Sequence, residues 1–207
     1  MHAKPSLPYR LLAAGSRPVL RGLYRYQATG LENLPAEGGF VLAAGHTSNF
    51  DPWPLALALA PQRQVRFMAK AELFWPPLSW VIDTMGGFKV HRGEPDREAI
   101  ATARRLAREG NVIGMFPEGT RRTKGALKRR EAAVHTGAAR IALAAGVPLV
   151  PAAIAGTDHL AHLKQLRVAY GEPIRLDDLT GLGRKQAARV ATERLMAAIA
   201  ELERGLG

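Results

Sequence analysis

The sequence predicts the α/β class, a single domain built on one mixed sheet flanked by helices, and three observations carry the prediction. Short apolar runs bounded by glycine, proline or asparagine alternate along the chain with longer segments of helical apolar spacing. Three of those runs, ending near Ala44, Val90 and Phe116, lead directly into polar clusters, as loops do at the carboxyl rim of an α/β sheet. The segment 184–203 puts Ala187, Val190, Ala191, Leu195, Ala198, Ile199 and Leu202 on one stripe, which suits a helix packed on that sheet.

Taken in order, residues 8–26 mix leucines and tyrosines with Arg10, Arg17, Arg21 and Arg25, and Pro18 is expected to break any single helix there. Such a basic amphipathic segment suits the headgroup plane of an anionic membrane, and equally a helical hairpin covering a core. We set it apart as residues 1–29, ahead of a domain of residues 30–207. Residues 40–44 (FVLAA) read as a buried strand, and 52–60 as a helix with proline in its first turn. Residues 65–70 form a second strand. The apolar stretch 73–85 contains paired prolines and Trp75 and Trp80, which fit either core packing or contact with lipid. Residues 86–93 make a third strand, 96–109 a helix, 111–116 a fourth strand and 132–145 a helix closed by Gly146. Residues 147–154 are a fifth strand whose two prolines suggest an edge or irregular position, and 166–170 are a sixth.

Composition narrows the chemistry. With 207 residues there is ample chain for one core. An excess of 29 Lys and Arg over 18 Asp and Glu, a net charge of +11, points to anionic partners. Aromatic content of 6% without basic and aromatic residues interleaved makes nucleic acid an unlikely one. The absence of cysteine excludes disulfides, thiolate metal sites and a cysteine nucleophile, and leaves histidine as the natural proton-transfer group. No run of 18 apolar residues and no signal-peptide pattern is present, so the chain is expected to be made and kept in the cytoplasm.

The segment Gly45-His46-Thr47-Ser48-Asn49-Phe50-Asp51 follows the first buried strand. His46 and Asp51 suit a dyad in which the carboxylate fixes one imidazole nitrogen so that the other takes a proton from a hydroxyl. A spacing of five puts two side chains about 140° apart on a helix, so the pair must meet through a loop. Two plainer readings stand beside this one: His46 as a structural histidine, and Asp51 as the cap of the helix that follows. Zinc is disfavoured because His2, His91, His135, His159 and His162 are scattered rather than at ligand spacing. Arg92, Arg121 and Arg122 end strands, where a planar guanidinium suits phosphate, and otherwise they are solvated charges. Glu118 either balances them or meets a polar headgroup.

The ordered set HTSNFD, GGFKVHRG, MFPEGTRR and GVPLVPAAI, spread over 46–154, resembles the four motifs of the glycerophospholipid acyltransferases, of the 1-acylglycerol-3-phosphate O-acyltransferase (lysophosphatidate acyltransferase) type. The resemblance implies transfer of an acyl chain from acyl-CoA or acyl-carrier protein to the free hydroxyl of lysophosphatidic acid, forming phosphatidic acid. It implies His46 as general base and Asp51 as its orienting partner. It places Arg92, Glu118, Gly119, Thr120 and Arg121 at the acceptor phosphate, and 147–151 at the pocket wall. No cofactor or metal is expected, since a thioester is already activated. The membrane surface is the implied partner, at the cytoplasmic face of the cell membrane, peripheral or monotopic. The chain departs from the family in its short, proline-interrupted N-terminal segment and in His135, where relatives often carry a basic residue. Alternatives are acylation of another lysolipid, lyso-aminolipid or glycolipid, and a non-catalytic module binding anionic lipid or nucleic acid.

Overall fold

A computed structural model describes residues 5–90, 97–117 and 135–206. Seven strands form one sheet: β1 (Gln27–Thr29), β2 (Phe40–Ala44), β3 (Val65–Lys70), β4 (Gly87–Val90), β5 (Val112–Met115), β6 (Leu149–Ala155) and β7 (Arg167–Tyr170). Their spatial order is β1-β7-β6-β2-β5-β3-β4. The strands from β6 through β4 run parallel, whereas β7 pairs antiparallel with β6 and carries β1 beside it, so the sheet is mixed. β2 is buried at all five of its residues, as an apolar run covered on both faces requires.

Six helices flank the sheet among the described residues: α1 (Leu7–Leu23), α2 (Pro52–Leu57), α3 (Leu78–Thr84), α4 (Arg97–Arg108), α5 (Gly137–Ala145) and α6 (Arg184–Leu206). Alternation along β2 sends Val41 and Ala43 to one face, where they meet Ala103, Ile141 and Leu195 of α4, α5 and α6. Phe40, Leu42 and Ala44 take the other face, against Leu55 and Ala56 of α2. α1 lies on this second side, packing Tyr9, Ala13 and Leu20 against Trp53, Leu57 and Leu166. Arg63 fastens the lower rim, donating to the carbonyls of Pro35, Gly38 and Gly110 just ahead of β2 and β5.

Several expectations need correction. Pro18 does not divide the N-terminal segment, because α1 runs through it as one helix of 17 residues. Anchors on both sides of the proline hold the two halves in line: Tyr9 and Ala13 before it, Leu20 after it. Trp53 Nε1 also donates to Ser16 Oγ at 3.1 Å, and Arg17 donates to the Leu57 carbonyl at 2.9 Å. The proline-bearing strand β6 is central rather than at an edge, pairing with both β2 and β7. Pro151 is tolerated because a strand residue aims its nitrogen and carbonyl to the same side. Its carbonyl accepts from Gly171 N at 2.9 Å, just past the end of β7, so its missing N–H deprives β2 of nothing. β1 was not anticipated. The helix after residue 51 ends at Leu57, short of 60.

Candidate active site

The parallel strands β2, β3, β4, β5 and β6 all end at one rim, and the polar loops leave from it. From the end of β2 the chain turns through residues 45–51 and enters α2. The site is built around the side chain of Asp51, which is fully buried. One oxygen, Oδ2, accepts from His46 Nδ1 at 2.8 Å, from Thr47 N at 2.7 Å and from Ser48 N at 2.8 Å. The other, Oδ1, accepts from the hydroxyl of Thr157 at 2.5 Å. Thr157 lies just past β6, and its Oγ1 is also 3.3 Å from Thr47 Oγ1. Burial alone would push the pKa of Asp51 up, but the bonds from His46, Ser48, Thr157 and Thr47 outweigh it and hold the carboxyl below its ordinary range.

This arrangement settles the plainer reading of Asp51. Although Asp51 stands at the start of α2, its side chain makes no capping bond to that helix. Its four donors lie in the loop and past β6 instead. Because the ionised carboxylate has only lone pairs to offer, His46 must supply the proton at Nδ1. Nε2 is then left as the basic nitrogen, and no partner is recorded for it among the described residues. The His46 side chain is 16% exposed.

A stack of rings holds the imidazole from the side. Phe116, just past β5, lies 4.2 Å from the His46 ring at 21° between planes, and Phe67 of β3 lies behind Phe116 at 6.0 Å. Alternation explains the meeting: Ala44 and Val112 face the same side of the sheet, and two-residue steps carry that side to His46 and Phe116. Gly114 makes room for the stack, since a Cβ there would sit 2.2 Å from the Phe67 ring. At Gly45, by contrast, a Cβ would meet only the carboxylate end of the Glu203 side chain of α6, which can swing aside.

Of the residues singled out from sequence, the structure brings His46 and Asp51 together. Arg92, Glu118, Gly119, Thr120 and Arg121 lie outside the described residues, as do His91 and Arg122. Their flanking residues are placed, with β4 ending at Val90 and β5 leading to Phe116 and Pro117 on the rim that carries His46. Sequence reasoning missed Thr157 and Phe116. The signal for Thr157 was a Gly-Thr pair at the exit of another strand, and for Phe116 it was strand alternation. Among the described residues, no three His, Asp or Glu side chains cluster as metal ligands would. Trp75 and Trp80 are 55% and 67% exposed, so they are not core.

Residues 25–155 match the family model described as Acyltransferase. A 1-acyl-sn-glycerol-3-phosphate acyltransferase of Bacillus subtilis (strain 168) is 35% identical over 181 residues, covering 84% of this chain and 86% of that protein. A chloroplastic 1-acyl-sn-glycerol-3-phosphate acyltransferase of Brassica napus is 32% identical over 138 residues, which are 65% of this chain but only 38% of the longer relative. The crystal structure of the 1-acyl-sn-glycerophosphate (LPA) acyltransferase PlsC from Thermotoga maritima superposes with a TM-score of 0.66 over 94% of this chain and 79% of that one, at 24% identity, and shows a shared fold. On the extent of the family match and the identity to the Bacillus enzyme, the chain belongs to the acyltransferase family.

Proposed function

We propose that this protein transfers a fatty acyl chain from an acyl-CoA or acyl-carrier-protein thioester to the free hydroxyl of lysophosphatidic acid, forming phosphatidic acid. The observation that carries the proposal is the buried Asp51 carboxylate holding His46 by Nδ1, which leaves Nε2 as a base at the sheet rim. In the forward step Nε2 takes the acceptor hydroxyl proton as that oxygen bonds to the thioester carbonyl carbon. The carbon–sulfur bond then breaks, and the departing thiolate recovers the proton from the imidazolium. Asp51 stabilises that imidazolium without itself taking the proton. The thioester supplies the driving force, so the chain's own task is to bring hydroxyl, carbonyl and base together.

The names of the relatives from Bacillus subtilis and Brassica napus support lysophosphatidate as acceptor. We assign the acceptor phosphate to Arg92, Glu118, Gly119, Thr120 and Arg121, with the arginines supplying bidentate charge. We further place the enzyme at the cytoplasmic face of the membrane, with residues 1–29 as the membrane-associating segment and 30–207 as the catalytic unit. No helix among the described residues is long and apolar enough to cross a bilayer, which suits peripheral or monotopic attachment.

The test is acyl transfer by purified protein from acyl-CoA to lysophosphatidate. His46→Ala is expected to lower turnover by roughly 10² to 10⁴, with the protein still folded but less stable by about 1–3 kcal/mol because buried Asp51 loses a donor. Unchanged turnover would contradict the proposal. A panel of other lysolipids in the same assay reads the head group.

A further inference from the structure

α4 and α5 carry a group of exposed arginines on the side of the sheet away from α1, and the fold accounts for only some of them. Arg105 donates to Glu109 at 3.0 Å, and Arg108 donates to the Ala144 carbonyl at 2.6 Å. Both stand in the last turn of α4, where a cation meets the negative end of the helix dipole. Arg104 and Arg140 are exposed too, and neither makes a hydrogen bond or ion pair among the described residues. Their placement works against the helices that carry them. Arg140 sits in the first turn of α5, at the positive end of the dipole, and no acidic residue in that turn offsets it. Arg104 lies one turn before Arg108 on the same stripe, a like-charge spacing that destabilises a helix. Because α4 and α5 each join parallel strands they run in the same sense, and the Arg108–Ala144 bond sets their register. Four positions back on each helix, Arg104 comes beside Arg140. Glu98, the exposed acid on α4, lies about 120° round the helix and lines the cleft beside β4 instead.

The surroundings narrow the kind of partner. None of the large apolar side chains exposed among the described residues lies on α4 or α5, so an apolar partner gains nothing there. Neither arginine lines a cleft: that of about 460 Å³ beside β4 and that of about 550 Å³ beside β7 have other walls. A convex cationic helix face suits the acidic surface of another protein, where arginine is an enriched contact and charge steers the approach. Its position relative to the site is specific as well. α5 starts against β5, with the Met115 side chain 3.3 Å from where a Cβ on Gly137 would be. The residue after Met115 is Phe116, which stacks on His46. Arg140 therefore stands within one helical turn of the rim that carries His46.

We infer that Arg104 and Arg140 form the centre of a docking surface for an acidic acyl-carrier protein, which lies against α4 and α5 while its arm delivers the thioester over the rim to His46. The choice of occupant rests on the acyl-transfer reading, which calls for a carrier-bound or a CoA-bound donor. Charge complementarity and the lack of a cleft decide between the two for this face. The arginines touch neither the thioester nor the acceptor hydroxyl. They govern how tightly the carrier is held and leave the chemical step to His46.

The experiment compares palmitoyl-carrier protein with palmitoyl-CoA as donor to lysophosphatidate, using the full chain. Arg104→Glu/Arg140→Glu is expected to raise KM for the carrier-bound donor about tenfold or more, with kcat and both constants for the CoA donor within about twofold of wild type. Added salt reproduces the rise in the wild type and has little further effect on the variant. The same substitutions put an acid at the start of α5 and another one turn ahead of Arg108, so the melting transition is expected to hold or rise. A folding defect therefore cannot account for the loss. Arg184→Glu/Lys185→Glu makes the same change of charge about 30 Å along α6 from Glu203, which lies at the rim beside Gly45, and leaves both donors unaffected. A loss of equal size with both donors overturns the docking surface and assigns the arginines to the phosphate-bearing arm that the donors share. Unchanged KM for the carrier overturns it too, and if the variant has lost binding to DNA the face belongs to nucleic acid. Carrier protein that binds in titration and is released by the charge reversal, with no transfer from either donor, refutes the proposed reaction and leaves the surface standing. Transfer from both donors untouched by the reversal does the opposite.

Discussion

Asp51 and Asp178 are two aspartates whose hydrogen bonds hold their carboxyls below the ordinary range, in opposite surroundings. Asp178 owes its shift first to Arg194, which donates from Nη2 at 2.6 Å and from Nη1 at 2.8 Å, with both side chains open to water. Asp51 must first overcome its own burial, and does so with donors from His46, Ser48, Thr157 and Thr47. Geometry at Asp178 is as good as at Asp51. What differs is the alternative: water replaces any donor lost at Asp178, and nothing replaces one lost at Asp51. A carboxylate so fully committed to one loop holds His46 in one orientation and one tautomer.

This contrast can be broken or sharpened by substitution. The largest effect belongs to Asp51→Asn, which is expected to reduce kcat/KM roughly 10³- to 10⁴-fold by releasing the tautomer of His46, read in the acyl-transfer assay. Next comes Thr157→Val. It leaves Oδ1 buried without its donor, so denaturant unfolding should show a loss of about 1–3 kcal/mol. Turnover should fall about tenfold, equivalent to about 1.4 kcal/mol in the barrier. Thr157→Ser restores both, whereas a role limited to packing leaves Ser no better than Val.

Acid titration gives a smaller signal with a defined sign. Because the folded carboxyl of Asp51 is lowered, its stabilisation is fully present above the unfolded value of about 4 and is lost as pH falls through the folded one. Melting of the wild type should therefore decline more steeply below about pH 4 than that of Asp51→Asn. The smallest effect is that of Asp178→Asn, for which melting at moderate salt and kcat/KM should both be indistinguishable from wild type. A loss there comparable to Thr157→Val would mean that burial is not what separates the two carboxylates.

Much of this site could be read in the sequence where local pattern and local structure coincide. The run FVLAA is a strand because both of its faces are covered, and a continuous apolar run records that directly. The meeting of His46 and Asp51 through a loop followed from a spacing that no helix accommodates. Where the reading failed, the cause lay far along the chain. Pro18 sits within a helix because residues on both sides of it are anchored to α2 and Leu166. β1 has three residues and pairs with Arg167–Ala169, so no local signal marks it. Thr157 reaches Asp51 across 106 residues, through the pairing of β2 with β6. Phe116 was legible in principle, since alternation from Val112 assigns its face, but only the adjacency of β2 and β5 makes that face matter.

The central claim is that His46 and Asp51 act as one proton-transfer unit, and a double-mutant comparison of kcat/KM for acyl transfer to lysophosphatidate tests it most directly. Groups that act together do not lose their effects additively. We expect His46→Ala/Asp51→Asn to fall no further than the more damaging of the two single variants. Losses that multiply, or a His46→Ala enzyme that works as well as the wild type, would contradict the claim.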